Sequence, residues 1–162
     1  MKRLGASLRI ALLSGVAVLL IGLADHFSSW PMLTSTLGPT AYLLFIHPGQ
    51  KMSSLRNAAA GHGIGIAAGA AGLWLTGSWR ISNAFLFHAS SLPHVFAAAI
   101  AVSLTLFVMH ALRVDHAPAG ATALLVATGL AGPGQLMAGL ALGLIALFLL
   151  QLALNRIPAP RS

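Results

Sequence analysis

The sequence contains no cysteine and no glutamate, and its only acidic residues are Asp25 and Asp115. Without cysteine, the chain has no disulfide, no thiolate metal site and no cysteine nucleophile. Charged residues make up 7% of the 162 residues, against about 25% in a soluble domain, which is too few to cover a soluble domain of this length. Disorder is excluded because 57% of the residues are apolar. The composition predicts an integral membrane protein in which residues 1–162 form a single transmembrane domain.

Positive charge exceeds negative charge by seven, which raises the question of a nucleic-acid partner. The lysines and arginines stand singly or in pairs between apolar runs, however, and form no basic stripe of the kind that binds phosphates. Nucleic acid is therefore excluded as a partner. Basic residues at the ends of apolar segments are instead typical of proteins in a lipid bilayer, where they set the topology.

Apolar segments of two lengths alternate along the chain. Four have spanning or near-spanning length: Leu8–Ala24, Ala58–Thr76, Val95–Leu112 and Leu136–Leu154. Two are shorter, Gly38–Ile46 and Gly120–Leu130, and each follows a polar stretch with proline or glycine. We expect the short segments to be re-entrant hairpins or the helical halves of broken spans. The first segment also resembles a signal peptide, but its counterpart in mid-chain favours its retention.

The two halves of the chain repeat one order of features. Asp25-His26 and Asp115-His116 each precede a turn-prone stretch, then Gly-x-Thr-Ala-x-Leu, then a long apolar segment. This order predicts two three-segment repeats, at about 8–77 and about 94–155, each with one short helix. The expected fold class is an all-α membrane bundle.

The basic residues discriminate between two topologies. If the short segments cross the bilayer, Arg80 alone of the nine lysines and arginines lies outside. If the short segments are re-entrant, Lys51, Arg56 and Arg113 all lie outside. The positive-inside rule favours the first topology. It has six crossings, inverted repeats and both termini in the cytoplasm, and the expected location is a bacterial plasma (inner) membrane.

The short segments predict an anion site. A helix that begins near Gly38 or Gly120 exposes unpaired N–H groups and the positive end of its dipole, and Thr40 and Thr122 can add hydroxyls. In an inverted repeat the two N-termini point at one region near mid-membrane, as in transporters that bind anionic substrates. The alternative is that these glycines only permit close helix packing.

Other glycines recur at every fourth residue of the long segments. They are Gly61, Gly65 and Gly69 in the second long segment and Gly139 and Gly143 in the last. Small residues at this spacing allow close helix approach in lipid. We expect these two segments to cross each other or to mediate a homo-oligomer.

Ionisable residues in apolar segments are candidates for function. Asp25 and Asp115 are interpreted either as ion-pair partners or as a proton relay, and His62 and His116 as either site residues or anchors. No third ligand accompanies the Asp-His pairs at helical spacing, so neither a metal nor another cofactor is predicted. A carboxylate dyad of the two aspartates is disfavoured because the inverted topology puts them on opposite faces. We therefore expect no enzymatic activity.

Two stretches carry a family resemblance. Between Leu37 and Trp74 the sequence reads Leu-Gly-x-x-Ala-x-Leu-Leu-Phe, then Arg56-Asn57 and Gly61-His62. From His116 it reads His-Ala-Pro-Ala-Gly-Ala-Thr-Ala-Leu. Both stretches resemble the HPP family of integral membrane proteins, although Ala117 stands where the first proline of the His-Pro-Pro motif belongs.

The resemblance implies a transporter, because plastid members of that family are linked to nitrite transport. It also implies substrate-binding residues, namely Arg56, Asn57 and His62 in one half and His116, Pro118, Gly120 and Thr122 in the other. The predicted function is a transporter or channel for a small inorganic anion such as nitrite. The alternative is a non-transporting membrane module that binds a partner through its glycine-rich faces.

Overall fold

Six α-helices and two single 3-10 turns occupy the residues that this computed structural model describes, which are 2–28, 30–80, 91–129 and 135–154. The α-helices are α1 (Lys2–Ser28), α2 (Leu37–Ile46), α3 (Leu55–Leu75), α4 (Leu92–Ala111), α5 (Pro118–Ala127) and α6 (Gln135–Leu154). The single turns are Lys51–Ser53 and Ser78–Arg80. These ranges contain no strand, and the predicted all-α class is confirmed. Leu130, the predicted end of the second short segment, lies outside the described residues, as do Arg156 and Arg161, two of the arginines expected on the cytoplasmic side.

Within the described ranges, three helices are long and apolar enough to cross a bilayer, namely Leu4–Ser28 within α1, Leu55–Leu75 and Leu92–Ala111. The remaining long segment, α6, is apolar over Met137–Ala153. Helices α2 and α5 have ten residues each, or about 15 Å of helix, which is half the thickness of the hydrocarbon core. The predicted alternation of long and short apolar helices is therefore present.

Large apolar side chains cover the outside of the bundle. Leu8, Leu12 and Leu19 of α1 and Phe96 and Phe107 of α4 are among those exposed. A soluble monomer rarely exposes a contiguous apolar surface of this extent, whereas lipid covers such a surface without cost. The surface agrees with the composition, and the chain is a membrane protein.

Helices α1 and α2 run in opposite directions. Leu33, just before α2, packs against Gly22 near the end of α1. An apolar groove between the two helices is lined from Ile10 to Val18 on one side and from Gly38 to Ile46 on the other. The start of α1 and the end of α2 therefore lie at the same end of the bundle, which we call the Lys51 end because the Lys51–Ser53 turn follows α2 there.

Helices α2 and α5 also run in opposite directions, and both begin beside α3. The glycines of α3 meet α5 in parallel order, since Gly61 faces His116, Gly65 faces Ala119 and Thr122, and Gly69 faces Val126. Near the start of α2, Thr40 lies beside His62 of α3, and further along, the Leu43 carbonyl accepts a hydrogen bond from Ser53 Oγ at 2.9 Å, before α3 begins. Helix α2 thus leads from the level of His62 to the Lys51 end, and α5 leads from that level away from it.

The glycine faces are occupied within the chain. A Cβ added to Gly65 would lie 2.5 Å from the Ala119 carbonyl oxygen, and one added to Gly139 would lie 2.5 Å from the Pro31 carbonyl oxygen. Gly143 packs equally closely on Met32. Gly61, Gly65 and Gly69 of α3 therefore receive His116 and α5, and Gly139 and Gly143 of α6 receive the segment before α2. This arrangement corrects the expectation that the two glycine-rich helices cross each other, and the contacts lend no support to a homo-oligomer through these faces.

Candidate functional site

Four buried polar side chains meet where α2 and α5 begin. They are Thr40 of α2, His62 of α3, His116 in the α4–α5 connection, and Thr122 of α5. His62 is 2% exposed, and the other three are 0% exposed. We call these four residues the polar cluster. His62 lies seven residues after Leu55, so the cluster is about 10 Å from the start of α3, or roughly a third of the way along it.

His62 links the two short helices through hydrogen bonds. Its Nε2 is 3.0 Å from Thr40 Oγ1, and its Nδ1 is 2.7 Å from Thr122 Oγ1. Its Nε2 is also 3.0 Å from Nε2 of His116, with the ring centroids 4.7 Å apart and the ring planes at 67°. The hydroxyls of Thr40 and Thr122 thus lie on either side of one imidazole ring.

Backbone carbonyls determine where the hydrogens lie. His116 Nδ1 is 2.8 Å from the Met52 carbonyl oxygen, which only accepts, so this nitrogen carries a hydrogen. In a neutral ring, His116 Nε2 is then an acceptor, and the hydrogen between the rings belongs to His62 Nε2. His62 Nδ1 is left without a hydrogen and accepts from the Thr122 hydroxyl. Thr40 donates to the Thr36 carbonyl at 2.8 Å, so all four side chains are satisfied while both rings are neutral.

Electrostatics around His116 favour this neutral state. Burial lowers the pKa of His116 below its ordinary value, while the hydrogen bond to the Met52 carbonyl and the nearby Asp115 carboxylate act in the opposite direction. Desolvation penalises the charged form of a base, and here it outweighs the two opposing effects.

The first turn of α5 does not offer free N–H groups. Ala119 N–H donates to the His116 carbonyl at 3.1 Å, and Gly120 N–H donates to the Ala117 carbonyl at 3.2 Å. Cβ atoms added to Gly38 or Gly120 would meet nothing within 4 Å, so these two glycines do not line the polar cluster. The sequence predicts unpaired backbone N–H groups at this point. In the structure, the polar groups that meet there are side chains.

The remaining predicted site residues lie around the cluster or away from it. Pro118 is buried, and its carbonyl oxygen is a second, longer contact of the Thr122 hydroxyl at 3.4 Å. Arg56 is exposed at the start of α3. Asn57 donates from Nδ2 to the Lys51 carbonyl at 2.7 Å and so fastens the turn before α3. The structure therefore gathers Thr40, His62, His116, Pro118 and Thr122, and leaves Arg56 and Asn57 at the Lys51 end.

The two aspartates occupy different surroundings. Asp25 Oδ1 accepts the N–H of Met32 at 2.5 Å and that of Leu33 at 3.4 Å. It thereby holds the chain between α1 and α2. Asp115 is exposed beside His116. The contacts of Asp25 are those of a structural anchor and give no support to an ion pair or a proton relay at that residue.

Sequence reasoning does not reveal the backbone partners of the cluster. The Met52 and Thr36 carbonyls set the positions of the hydrogens, yet a backbone carbonyl has no signature in residue type. No residue type near Met52 marks this contact, since its neighbour Ser53 is buried and donates to the Leu43 carbonyl of α2. Within the described ranges, no three His or Asp side chains come together as a metal site requires.

Comparison with known proteins gives one match. A protein-family sequence model described as "HPP, transmembrane region" matches residues 2–162, essentially the whole chain. No curated protein and no solved structure matches the chain.

Proposed function

The chain belongs to the HPP transmembrane family, and on that premise we propose that it is a transporter or channel for a small inorganic anion, nitrite or a similar ion. The observation that carries the proposal is the polar cluster. Two hydroxyls and two imidazoles are buried at the junction of two short helices that run in opposite directions. Buried polar groups in an apolar membrane protein are costly unless they are paired, and such groups are often functional.

The donors of the cluster suit an anion of a few atoms. The Thr122 hydroxyl has a second, longer contact at 3.4 Å, so it can turn without losing every bond. When it turns, the Thr122 hydroxyl can donate to an oxygen or a halide on one side of the His62 ring, and Thr40 offers a second hydroxyl on the other side. The described residues enclose the cluster closely, so a larger organic anion would require the short helices to separate further. These features favour nitrite-sized ions.

Basic residues favour anion approach from the Lys51 end. Lys51 and Arg56 are exposed there, about two turns of α3 from His62. Their charge would raise the local concentration of an anion before it reaches the cluster. We assign Arg56 this attracting role in place of direct contact, and Asn57 the role of holding the Lys51 turn.

We further propose the inverted, six-crossing arrangement in a bacterial inner membrane, with both termini cytoplasmic. The start of α1 and the Lys51–Ser53 turn lie at the same end of the bundle. A topology with re-entrant short segments separates these two by the width of the membrane. Arg113, after α4, lies at the Lys51 end, and Arg80, after α3, lies at the other. The reciprocal packing of α3 on α4 and α5, and of α6 on α1 and α2, supports a duplicated unit.

The alternative, a module that binds a partner through its glycine faces, has less support. The glycines of α3 and α6 that were candidates for that surface contact α5 and the segment before α2. A partner would have to displace those contacts.

Flux into liposomes tests the proposal. Purified protein is reconstituted, and uptake of nitrite, nitrate, formate, bicarbonate and chloride is measured against protein-free vesicles. We expect nitrite or one similar anion to enter at least about tenfold faster with protein. Thr122→Val keeps the side-chain shape but removes the hydroxyl, and should abolish most of that flux. The matched control is Thr105→Val on α4, where the hydroxyl bonds only its own helix at Ala101. Absence of flux for every anion would reject the proposed function.

A further inference from the structure

The two imidazoles of the polar cluster share one hydrogen bond inside the protein. His62 Nε2 and His116 Nε2 are 3.0 Å apart, so one hydrogen must lie between them. Two hydrogens would clash there, and two lone pairs would repel each other. Because the Met52 carbonyl holds a hydrogen on His116 Nδ1, the neutral pair carries two hydrogens on its four ring nitrogens. The one nitrogen that has neither a hydrogen of its own nor one shared with the other ring is His62 Nδ1.

An additional proton therefore has one position to occupy. At His62 Nδ1 it would face Thr122 Oγ1 at 2.7 Å. The Thr122 hydroxyl would then accept from the ring, and its own hydrogen would turn to a bound anion or, without one, to the Pro118 carbonyl, which is 3.4 Å away. No heavy atom has to move for this exchange. The cluster can thus hold one extra proton while every polar group keeps a partner.

A charged imidazolium at this place needs a counter-ion. The described elements around the cluster supply little charge. Helices α2 and α5 contain no charged residue, and Tyr42, the titratable group of α2, is exposed. The carboxylate next to His116 is Asp115, which is exposed, and Lys51 and Arg56 are exposed at the Lys51 end. On α4, His94 bonds Ser91 at the opposite end, and His110 is exposed. A buried ion without a partner is strongly destabilising, so the extra proton requires an anion beside it.

The same reasoning applies to the anion. A bare anion that enters a neutral, dry cluster loses its hydration and gains no opposite charge. If a proton binds at His62 Nδ1 together with the anion, the pair of ions is neutral. We propose that the His62–His116 pair is a proton-binding site that couples one proton to each anion, so that the two cross together without net charge. This inference rests on the proposed anion transport and specifies its coupling.

Binding in detergent tests the coupling without transport. Nitrite is added to the protein in a weakly buffered solution, and the protons taken up are measured with a pH-indicator dye. We expect one proton taken up per nitrite bound, and an apparent affinity for nitrite that improves about tenfold for each unit of pH lowered, because linked sites shift each other reciprocally. Nitrite binding without proton uptake and with an affinity independent of pH would overturn the coupling and leave the anion site standing.

Transport in liposomes separates the two proposals. Vesicles hold a pH-sensitive dye, and the membrane potential is clamped with potassium and valinomycin. Uptake by protein-free vesicles is subtracted, because the conjugate acid of nitrite crosses lipid unaided. We expect the rate of nitrite entry to increase with the proton gradient and to be independent of the clamped membrane potential. Each nitrite that enters should bring one proton into the lumen. Entry that follows the potential and moves no proton would overturn the coupling alone. No entry under either gradient would reject the proposed function and the coupling with it.

Variants show whether the pair acts chemically or only fills space. His62→Gln places an amide near the position of Nε2 but cannot take up a proton at pH 7. We expect it to lose the proton uptake and the tenfold pH dependence, while gel filtration shows a folded protein. His116→Asn, which can still donate to the Met52 carbonyl, should reduce the proton uptake as well. The matched control, His110→Gln on the exposed side of α4, should keep one proton per anion. A wild-type ratio in folded His62→Gln would overturn the proposal.

Discussion

Gly65 and Gly63 form a matched pair on α3 that tests how closely α5 packs. A Cβ on Gly65 would lie 2.5 Å from the Ala119 carbonyl oxygen and 3.2 Å from Thr122 Cβ, whereas a Cβ on Gly63 would meet nothing within 4 Å. A contact of 2.5 Å with backbone cannot be relieved by a side-chain rotation, so α3 and α5 must separate. We therefore expect opposite effects from the same substitution at two sites two residues apart.

The magnitudes follow from packing and helix propensity. Gly63→Ala should stabilise the protein by up to about 1 kcal/mol, because glycine is the less favourable residue inside a helix. Gly65→Ala should destabilise it by about 1–3 kcal/mol through overpacking. The difference of roughly 2–4 kcal/mol corresponds to about 5–15 °C in the midpoint of thermal unfolding for a chain of this size. Because Thr122 moves with α5, Gly65→Ala should also reduce anion flux.

Thermal unfolding of the purified variants in detergent, followed by intrinsic tryptophan fluorescence, measures this difference, and liposome flux measures its consequence. Equal midpoints for Gly65→Ala and Gly63→Ala, with flux unchanged in both, would refute the packing of α5 on α3 described above. Equal midpoints would also remove the basis for placing Thr122 beside His62.

Two further predictions concern the pH dependence of stability and the connection between α1 and α2. Because burial lowers the pKa of His116 in the folded protein, the unfolded chain binds more protons in acid. The stability contributed by neutral His116 should therefore be complete above about pH 6.5 and be lost as the pH falls below that value. If the midpoint of thermal unfolding falls in acid as much for His116→Asn as for the wild-type protein, this prediction is wrong. Asp25→Ala removes the acceptor of the Met32 and Leu33 N–H groups. It should lower the free energy of unfolding by about 1.5 kcal/mol, at the low end for bonds to a charged group because Asp25 is only partly buried. An unchanged midpoint in the same assay would show that these bonds contribute nothing.

Much of the helical fold is visible in the sequence. Glycine and proline interrupt the apolar pattern before each short helix, and α2 and α5 begin at Leu37 and Pro118, within two residues of the predicted Gly38 and Gly120. This accuracy has a physical cause, because proline lacks the N–H that the first turn of a helix leaves unpaired, and Pro39 and Pro118 both stand in a first turn. The spacing of the α3 glycines likewise predicts a face of small residues.

The sequence does not show which elements pack against each other. A stripe of small residues shows that another element approaches closely, but it does not show which one, and α5 occupies the face that we expected α6 to meet. The anion site was expected at the N–H groups near Gly120, yet carbonyls of the preceding turn take up those groups. The pairing of His62 with His116 joins residues 54 positions apart. The orientation of His116 depends on the Met52 carbonyl, and no residue type in the sequence indicates that contact.

The central claim is that an anion binds at the polar cluster, and bromide tests it most directly, because it is a small anion whose anomalous X-ray scattering locates it without ambiguity. Crystals of the protein soaked in bromide should show an anomalous peak within hydrogen-bond distance of Thr122 Oγ1 and the His62 ring, and excess nitrite should remove it. Thr122→Val crystals should lack the peak. Anomalous peaks confined to exposed Arg56 and Lys51, with none at the cluster, would contradict the claim.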